Sequence, residues 1–143
     1  MSKYSTFKKS KQQKVDEFPM MFAFSQEQLE EGKARLGVTD NKELLSIGAG
    51  GFIRKSDREE FDNLFIQLDK ELAENLNDDE FLYEAFLYEL ANHEYCYSWD
   101  LTDSLDVLGL TVEQVKSDDR MYSILKKAIM QYKEDIHFHQ GHP

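Results

Sequence analysis

The hydrophobic residues of this chain recur mostly three or four positions apart, a spacing that places them on one face of an α-helix. The clearest amphipathic helix is predicted over residues 57–80, and a second regular helix over 118–136. Residues 79–96 are apolar on most sides, which is typical of a helix surrounded by others. The helix predicted over 57–80 carries apolar residues at this spacing, namely Phe61, Leu64, Phe65, Leu68, Leu72 and Leu76.

Helix start and stop signals divide the chain at short intervals. Ser25 and Gln28 have the spacing of a capping box, and Gly37 is a typical C-terminal stop, so a helix is predicted at 26–36. Similar start signals occur further along the chain at Asp40, Ser56, Asp78 and Thr111. Together they predict a mainly α fold, a compact bundle of about five to seven helices.

The segment Gly48-Ala-Gly-Gly-Phe52 has three glycines in four positions. Such a segment needs positive φ angles or close approach by another part of the chain. It has no Gly-Lys-Ser/Thr ending, and no convincing strand precedes it, so a phosphate-binding loop is not indicated. Two interpretations stay open, a tight crossing between helices and a loop that binds a ligand or partner. Residues 20–24 and 46–53 also suit a short two-stranded β element.

Length and charge suggest how the 143 residues are organised. A basic arm or helix is expected at 1–14, a single acidic helical domain at 15–136 and a histidine-containing tail at 137–143. Residues 1–14 carry five lysines and no acid, and removing these five charges from the total of −11 leaves −16 for residues 15–143. Such a domain repels nucleic acid and anionic membranes, and it attracts proteins with a basic surface.

A single cysteine, Cys96, excludes an intramolecular disulfide. The chain shows no basic-then-apolar leader and no apolar run of the roughly 18 residues that a membrane helix needs. We therefore expect a soluble, cytoplasmic protein without a membrane segment.

Glu89 and His93 are predicted to stack one turn apart on the core-facing side of helix 79–96. One interpretation is a structural pair, in which the two are hydrogen-bonded to each other and to a tyrosine hydroxyl, because a buried carboxylate needs partners. The other is a metal site or acid–base pair that includes Glu94. The zinc-protease signature His-Glu-x-x-His is absent, and we expect neither a metal nor another cofactor. Further metal-ligand candidates are Cys96, His137, His139 and His142.

Two sets of residues are candidates for binding a partner. The face of helix 57–80 opposite its apolar stripe is acidic, which indicates either a solvated surface or a docking surface for a basic partner. Aromatic residues near the end of helix 79–96 would anchor a partner if they are exposed. The predicted binding residues are Glu59, Asp62, Glu71, Tyr95, Tyr97 and Trp99.

Four motifs carry a resemblance to a known group of proteins: Phe22-Ala-Phe-Ser25, Gly50-Gly-Phe-Ile53, Tyr88-Glu-Leu-Ala-Asn-His-Glu-Tyr-Cys-Tyr97 and Leu105-Asp-Val-Leu-Gly-Leu-Thr111. Over residues 3–133 the chain resembles a family of short hypothetical proteins found in bacteriophages and in bacterial genomes that carry mobile elements. The resemblance implies a genomic setting, but it implies no activity and assigns no functional residues.

The sequence favours a small acidic accessory or regulatory protein of phage or mobile-element type that acts by binding a protein with a basic surface. One alternative is a metal-dependent, hydrolase-like enzyme that uses Glu89, His93 and Glu94. Another is a mimic of nucleic acid that inhibits a host DNA-binding protein. Direct binding of nucleic acid is not expected.

Overall fold

A computed structural model describes residues 2–139. It is 71% helical and contains, within that range, eight α-helices and a small antiparallel sheet, which confirms the predicted mainly α class. The helices are α1 (Lys3–Asp16), α2 (Gln26–Leu36), α3 (Arg58–Asn75), α4 (Asp79–Asn92), α5 (Tyr95–Ser98), α6 (Thr102–Asp106), α7 (Val112–Ser117) and α8 (Asp119–His139). The strands are β1 (Met21–Phe22), β2 (Leu44–Gly48) and β3 (Gly51–Arg54).

The chain divides into two compact units. The first, here called the terminal unit, comprises Met1–Lys8 and Asp69–Pro143, of which residues 2–8 and 69–139 are described. The second, the central unit, comprises Lys9–Leu68. Of the predicted histidine-containing tail, residues 140–143 lie outside the described part.

The predicted capping residues Ser25, Asp78 and Thr111 begin three of the helices. Ser25 accepts a hydrogen bond from the Gln28 backbone N–H at the start of α2, while the Gln28 side chain accepts from the backbone of Phe24. At α7, Thr111 and Gln114 form both bonds of a capping box. These starts are predictable because each depends on two residues three positions apart.

The central unit is built on a three-stranded antiparallel sheet in the order β1-β3-β2. The sequence predicts only two strands, near 20–24 and 46–53. Leu44–Gly48 forms a separate third strand because the chain reverses at the glycines and pairs it with β3. Met21 of β1 is fully buried and packs with Leu36, Val38 and Leu44. Two short 3-10 turns, Asn41–Glu43 and Lys55–Asp57, precede β2 and α3.

The segment Gly48–Gly51 is the turn between β2 and β3. The predicted crossing between helices is therefore wrong, and a strand does precede the glycines. Gly48, Ala49 and Gly50 have φ angles of 89°, 52° and 80°, the positive values that match a tight hairpin to the twist of its strands. The ring of Phe24 occupies the space where a Cβ on Gly50 would lie, so an aromatic side chain of the chain itself covers this turn.

The terminal unit has one apolar core around α4, which packs against α6 and α8. The single helix predicted at 79–96 ends at Asn92, because Glu94 takes a left-handed conformation with φ 50° before α5 begins. The backbone N–H of Cys96 then donates to the hydroxyl of Tyr132 in α8, a contact that sequence periodicity does not reveal. The largest core side chains include Tyr4, Phe81, Leu82, Phe86, Leu90, Leu105 and Leu125.

We expect Gly32→Ala to destabilise the protein, although alanine is normally about 1 kcal/mol better than glycine within a helix. A Cβ on Gly32 would lie 2.6 Å from Sδ and Cε of Met21 and 3.0 Å from its Cβ, in a position that is fully buried. Overpacking of this kind lowers the free energy of unfolding by roughly 1–3 kcal/mol. Urea unfolding of wild type and Gly32→Ala would measure this loss. The exposed Ala34→Gly on the same helix measures helix propensity alone. A Gly32→Ala protein more stable than wild type would contradict this packing.

Candidate functional site

Glu89 of α4 is a carboxylate that is only 1% exposed. The hydroxyl of Tyr4 donates to its Oε2 at 2.6 Å, and the side-chain amide of Asn92 donates to Oε1 at 3.1 Å. Nζ of Lys8 donates to Oε2 at 3.4 Å. These four residues and His93 come from α1 and from the end of α4, two parts of the chain that are far apart in sequence.

His93 lies beside Glu89 without forming a hydrogen bond to it. Nε2 of His93 is 3.5 Å from Oε1 of Glu89, close enough for an ion pair if the imidazole is protonated. The same nitrogen is buried, and within residues 2–139 it has no hydrogen-bond partner. A separation of 3.5 Å without hydrogen-bond geometry is a contact and not a hydrogen bond. The tyrosine whose hydroxyl donates a hydrogen bond to Glu89 is Tyr4 of α1.

The charge of Glu89 is balanced mainly from α1. Burial, reinforced by the hydrogen bond to Glu89, raises the pKa of Tyr4 far above its ordinary value, so Tyr4 is a hydroxyl donor throughout the physiological pH range. The ammonium of Lys8 lies 3.4 Å from the carboxylate and 4.2 Å from the ring centroid of Tyr88. A nearby cation and several donors are what a buried carboxylate requires.

The backbone of Glu89 is also held in place. The hydroxyl of Ser104 in α6, itself buried, donates to the Glu89 carbonyl oxygen at 3.1 Å. Glu89 thus connects α1 through its side chain and α6 through its main chain. Sequence reasoning missed Tyr4, Lys8 and Ser104. A usable signal existed in α1, where Tyr4 and Lys8 are one turn apart and Phe7 extends the apolar side of the helix.

Among the side chains that the structure describes, those of residues 2–137, no group of three or more His, Cys, Asp or Glu is arranged to hold a metal ion. Glu94, offered as the third residue beside Glu89 and His93, is exposed at the left-handed position that ends α4. The side chain of His139 and the whole of His142 lie outside the described part of the chain.

The predicted aromatic anchors are divided by the break after α4. Tyr95 is only 8% exposed and contacts the rings of Trp99 and Tyr132, so it is a core residue and is not available to a partner. Tyr97 is 82% exposed and Trp99 is 54% exposed. Residues 94–103, which contain these two side chains, are called the aromatic loop below.

Two left-handed residues fix the shape of the aromatic loop. Glu94 and Trp99, which bracket α5, have φ angles of 50° and 56°. For residues other than glycine such conformations cost on the order of 1 kcal/mol or more and persist only where packing enforces them. Here the enforcing contacts are the buried ring of Tyr95 and the hydrogen bond from Cys96 to Tyr132.

The aromatic loop lies in the most acidic part of the chain. Between residues 69 and 115 there are thirteen Asp and Glu residues and one lysine. Asp100 and Asp103 of the loop are exposed, and the backbone N–H of Thr102 lowers the pKa of Asp100. The ammonium of Lys133 lies 5.4 Å from the ring centroid of Trp99.

The predicted acidic binding residues of α3 lie in different units. Glu59 and Asp62 belong to the central unit and are exposed, and a guanidinium nitrogen of Arg58 is 3.9 Å from the Asp62 carboxylate. Glu71 belongs to the terminal unit and is half-buried. Of the acidic residues predicted from α3, Glu59 and Asp62 are therefore the more accessible.

Comparison with known proteins gives the chain a family but no activity. A family model matches residues 3–131. The chain belongs to this family of unknown function (DUF7659). No curated protein and no solved structure matches it. None of the helices described between residues 2 and 139 has both the length and the apolar character needed to cross a bilayer.

We expect Tyr4→Phe to lower the free energy of unfolding by roughly 1.5–3 kcal/mol, because it removes a hydrogen bond to a buried charged group. Equilibrium urea unfolding would measure this loss. Tyr97→Phe deletes the same atom from an exposed ring and should change stability by less than about 0.5 kcal/mol. Equal stabilities for the two variants would show that the bond to Glu89 contributes nothing.

Proposed function

We propose that this protein is a small acidic accessory or regulatory protein that binds another protein through that partner's basic surface. The observation that supports this most is the exposure of Tyr97 and Trp99, two residues apart, within an acidic segment. Aromatic side chains dominate the energies of protein interfaces, so two of them exposed within one short acidic segment would suit a contact site.

The chemistry of the aromatic loop suits arginine in particular. A guanidinium group stacks on the faces of Tyr and Trp rings and pairs with carboxylates in a planar, two-bond arrangement. The loop offers both kinds of group, with Tyr97 and Trp99 supplying rings and Asp100 and Asp103 supplying carboxylates. Lys133 already lies near the Trp99 ring, so an incoming guanidinium would compete with its ammonium for that ring.

The charge of the surrounding segment would act at longer range. An excess of carboxylates raises the rate at which a basic partner is encountered, and salt screens this attraction beyond a Debye length of about 8–10 Å. Glu59 and Asp62 would add to the attraction from the central unit. We therefore expect association with the partner to be fast at low salt, and we expect contacts with Tyr97 and Trp99 to slow dissociation of the complex.

We include in this proposal the setting implied by the sequence motifs, that of a phage or mobile element. Mimicry of nucleic acid is the special case in which the basic partner is a host DNA-binding protein. The hydrolase alternative gains no specific support, because Glu89 is occupied by hydrogen bonds from Tyr4, Lys8 and Asn92.

A direct test uses a fluorescein-labelled octa-arginine peptide and measures its Kd by fluorescence anisotropy at low salt. The Tyr97→Ser/Trp99→Ser double variant keeps the net charge and loses both rings. Two exposed cation–π contacts are worth about 0.5–1 kcal/mol each, so its Kd should rise roughly five- to thirtyfold. Met130→Ser, an equally exposed apolar residue on α8, should leave the Kd unchanged.

The same titration contains its own check, because Trp99 is the only tryptophan in the chain. Its fluorescence should change as octa-arginine binds to wild type and to Met130→Ser. If the double variant binds the peptide as tightly as wild type, acidity alone accounts for the binding and the aromatic loop is not the contact site. In that case, a partner protein that binds wild type should bind the double variant with the same affinity.

A further inference from the structure

A groove of about 580 Å³ lies in the terminal unit between the last turns of α3 and the turn that joins α6 to α7. Its volume is within the range of roughly 300–1,000 Å³ found for ligand-binding clefts. The buried residues Leu72, Leu76 and Leu108 form its floor. Val107, Leu110 and Met121, which are more exposed, line its sides.

The charged residues that line this groove are both acidic. Asp69 and Asp106 line it together with Asn77, and no lysine or arginine is among its lining residues. Both carboxylates are exposed, and neither forms a salt bridge within residues 2–139. The groove thus combines an apolar floor with two unpaired carboxylates.

The side formed by the α6–α7 turn is held in a defined shape. Gly109 has a φ of 72° and donates its backbone N–H to the carbonyl of Asp106, while Leu110 donates to the carbonyl of Leu105. This is the pairing with which helices commonly end at a left-handed glycine. A Cβ placed on Gly109 would meet no atom within 4 Å, so the groove is open on this side.

We propose that this groove binds a basic amphipathic helix of the partner protein. Apolar side chains spaced at i, i+3, i+4 and i+7 would enter the groove, and Lys or Arg residues beside them would pair with Asp69 and Asp106. Charge complementarity selects this occupant, since a neutral or acidic helix would leave both carboxylates unpaired near apolar surface. The inference rests on the protein-binding function proposed above and adds the kind of segment that is bound.

The test uses the full-length protein and a labelled peptide that forms a helix with a leucine face and lysine and arginine elsewhere. Two comparison peptides are a scramble of identical composition and a version with glutamate in place of the basic residues. We expect the amphipathic basic peptide to bind at least tenfold more tightly than either.

Three protein variants locate the site. Asp69→Asn/Asp106→Asn removes both charges without changing shape and should raise the Kd roughly three- to tenfold. Ala73→Phe places a ring in the groove and should raise it more than tenfold, provided that a circular dichroism melt shows a folded protein. The matched control Glu74→Gln/Glu113→Gln removes two exposed charges outside the groove lining and should change the Kd less than twofold.

Several results would overturn this inference. They are equal binding of all three peptides, equal binding by the charge variant and its control, and unchanged binding by folded Ala73→Phe. A wild-type dimer that Ala73→Phe converts to a monomer, measured by analytical ultracentrifugation, would show that a second copy of the chain occupies the groove.

Failure here is distinguishable from failure of the aromatic loop. The Tyr97→Ser/Trp99→Ser protein should bind the amphipathic peptide no more than twofold more weakly than wild type, because neither residue lines the groove. A larger loss of affinity for the amphipathic peptide in that variant would show that the helix binds at the aromatic loop, and it would contradict the assignment of the groove.

Discussion

Burial of the Glu89 carboxylate is the constraint on which the terminal unit depends. A buried charge costs several kcal/mol unless donors and an opposite charge surround it. Tyr4 and Lys8 meet most of this requirement, so the first turns of α1 have to pack against α4. The edge-on contact of Tyr4 with Phe81, at a centroid distance of 5.4 Å, joins the same helix turn to the apolar core. Residues from near the start of the chain thereby become part of a core built mainly from residues 72–132.

Both candidate binding features lie on segments that adjoin or contact the helix carrying Glu89. The helix that carries Glu89 ends three residues later, at Asn92, and the break after it exposes Tyr97 and Trp99 while burying Tyr95. The bond from Ser104 to the Glu89 carbonyl holds α6 against α4, and the turn that follows α6 forms one side of the groove. A partner that contacted the loop and the groove would therefore bind two surfaces that are both connected to α4.

Local sequence signals predicted the helical class well because they depend on neighbouring residues. The caps at Ser25, Asp78 and Thr111 need only residues within one helical turn. The contact between Tyr4 and Glu89 joins residues 85 positions apart, and no periodicity within a single helix reports such a contact.

The break after α4 shows a second limit on prediction from sequence. The apolar pattern of 79–96 continues through the point at which the backbone turns, so it gave no reason to separate Tyr95 from Tyr97. The contacts of Tyr132 with Cys96 and with the Tyr95 ring, made from a different helix, set the orientation of this segment. Likewise, β2 was not foreseen because its short run of residues becomes a strand only when paired with β3.

Hydrogen–deuterium exchange on Glu89→Gln tests most directly whether this carboxylate holds the first turns of α1 in place. Glutamine keeps the shape of the side chain, but it removes the charge and replaces one acceptor oxygen with an NH₂ group. We predict that the amides of Thr6, Phe7 and Lys8 exchange at least tenfold faster than in wild type, while the amides paired between β2 and β3 in the central unit keep their protection. Unchanged protection at residues 6–8 would contradict the central role assigned to Glu89.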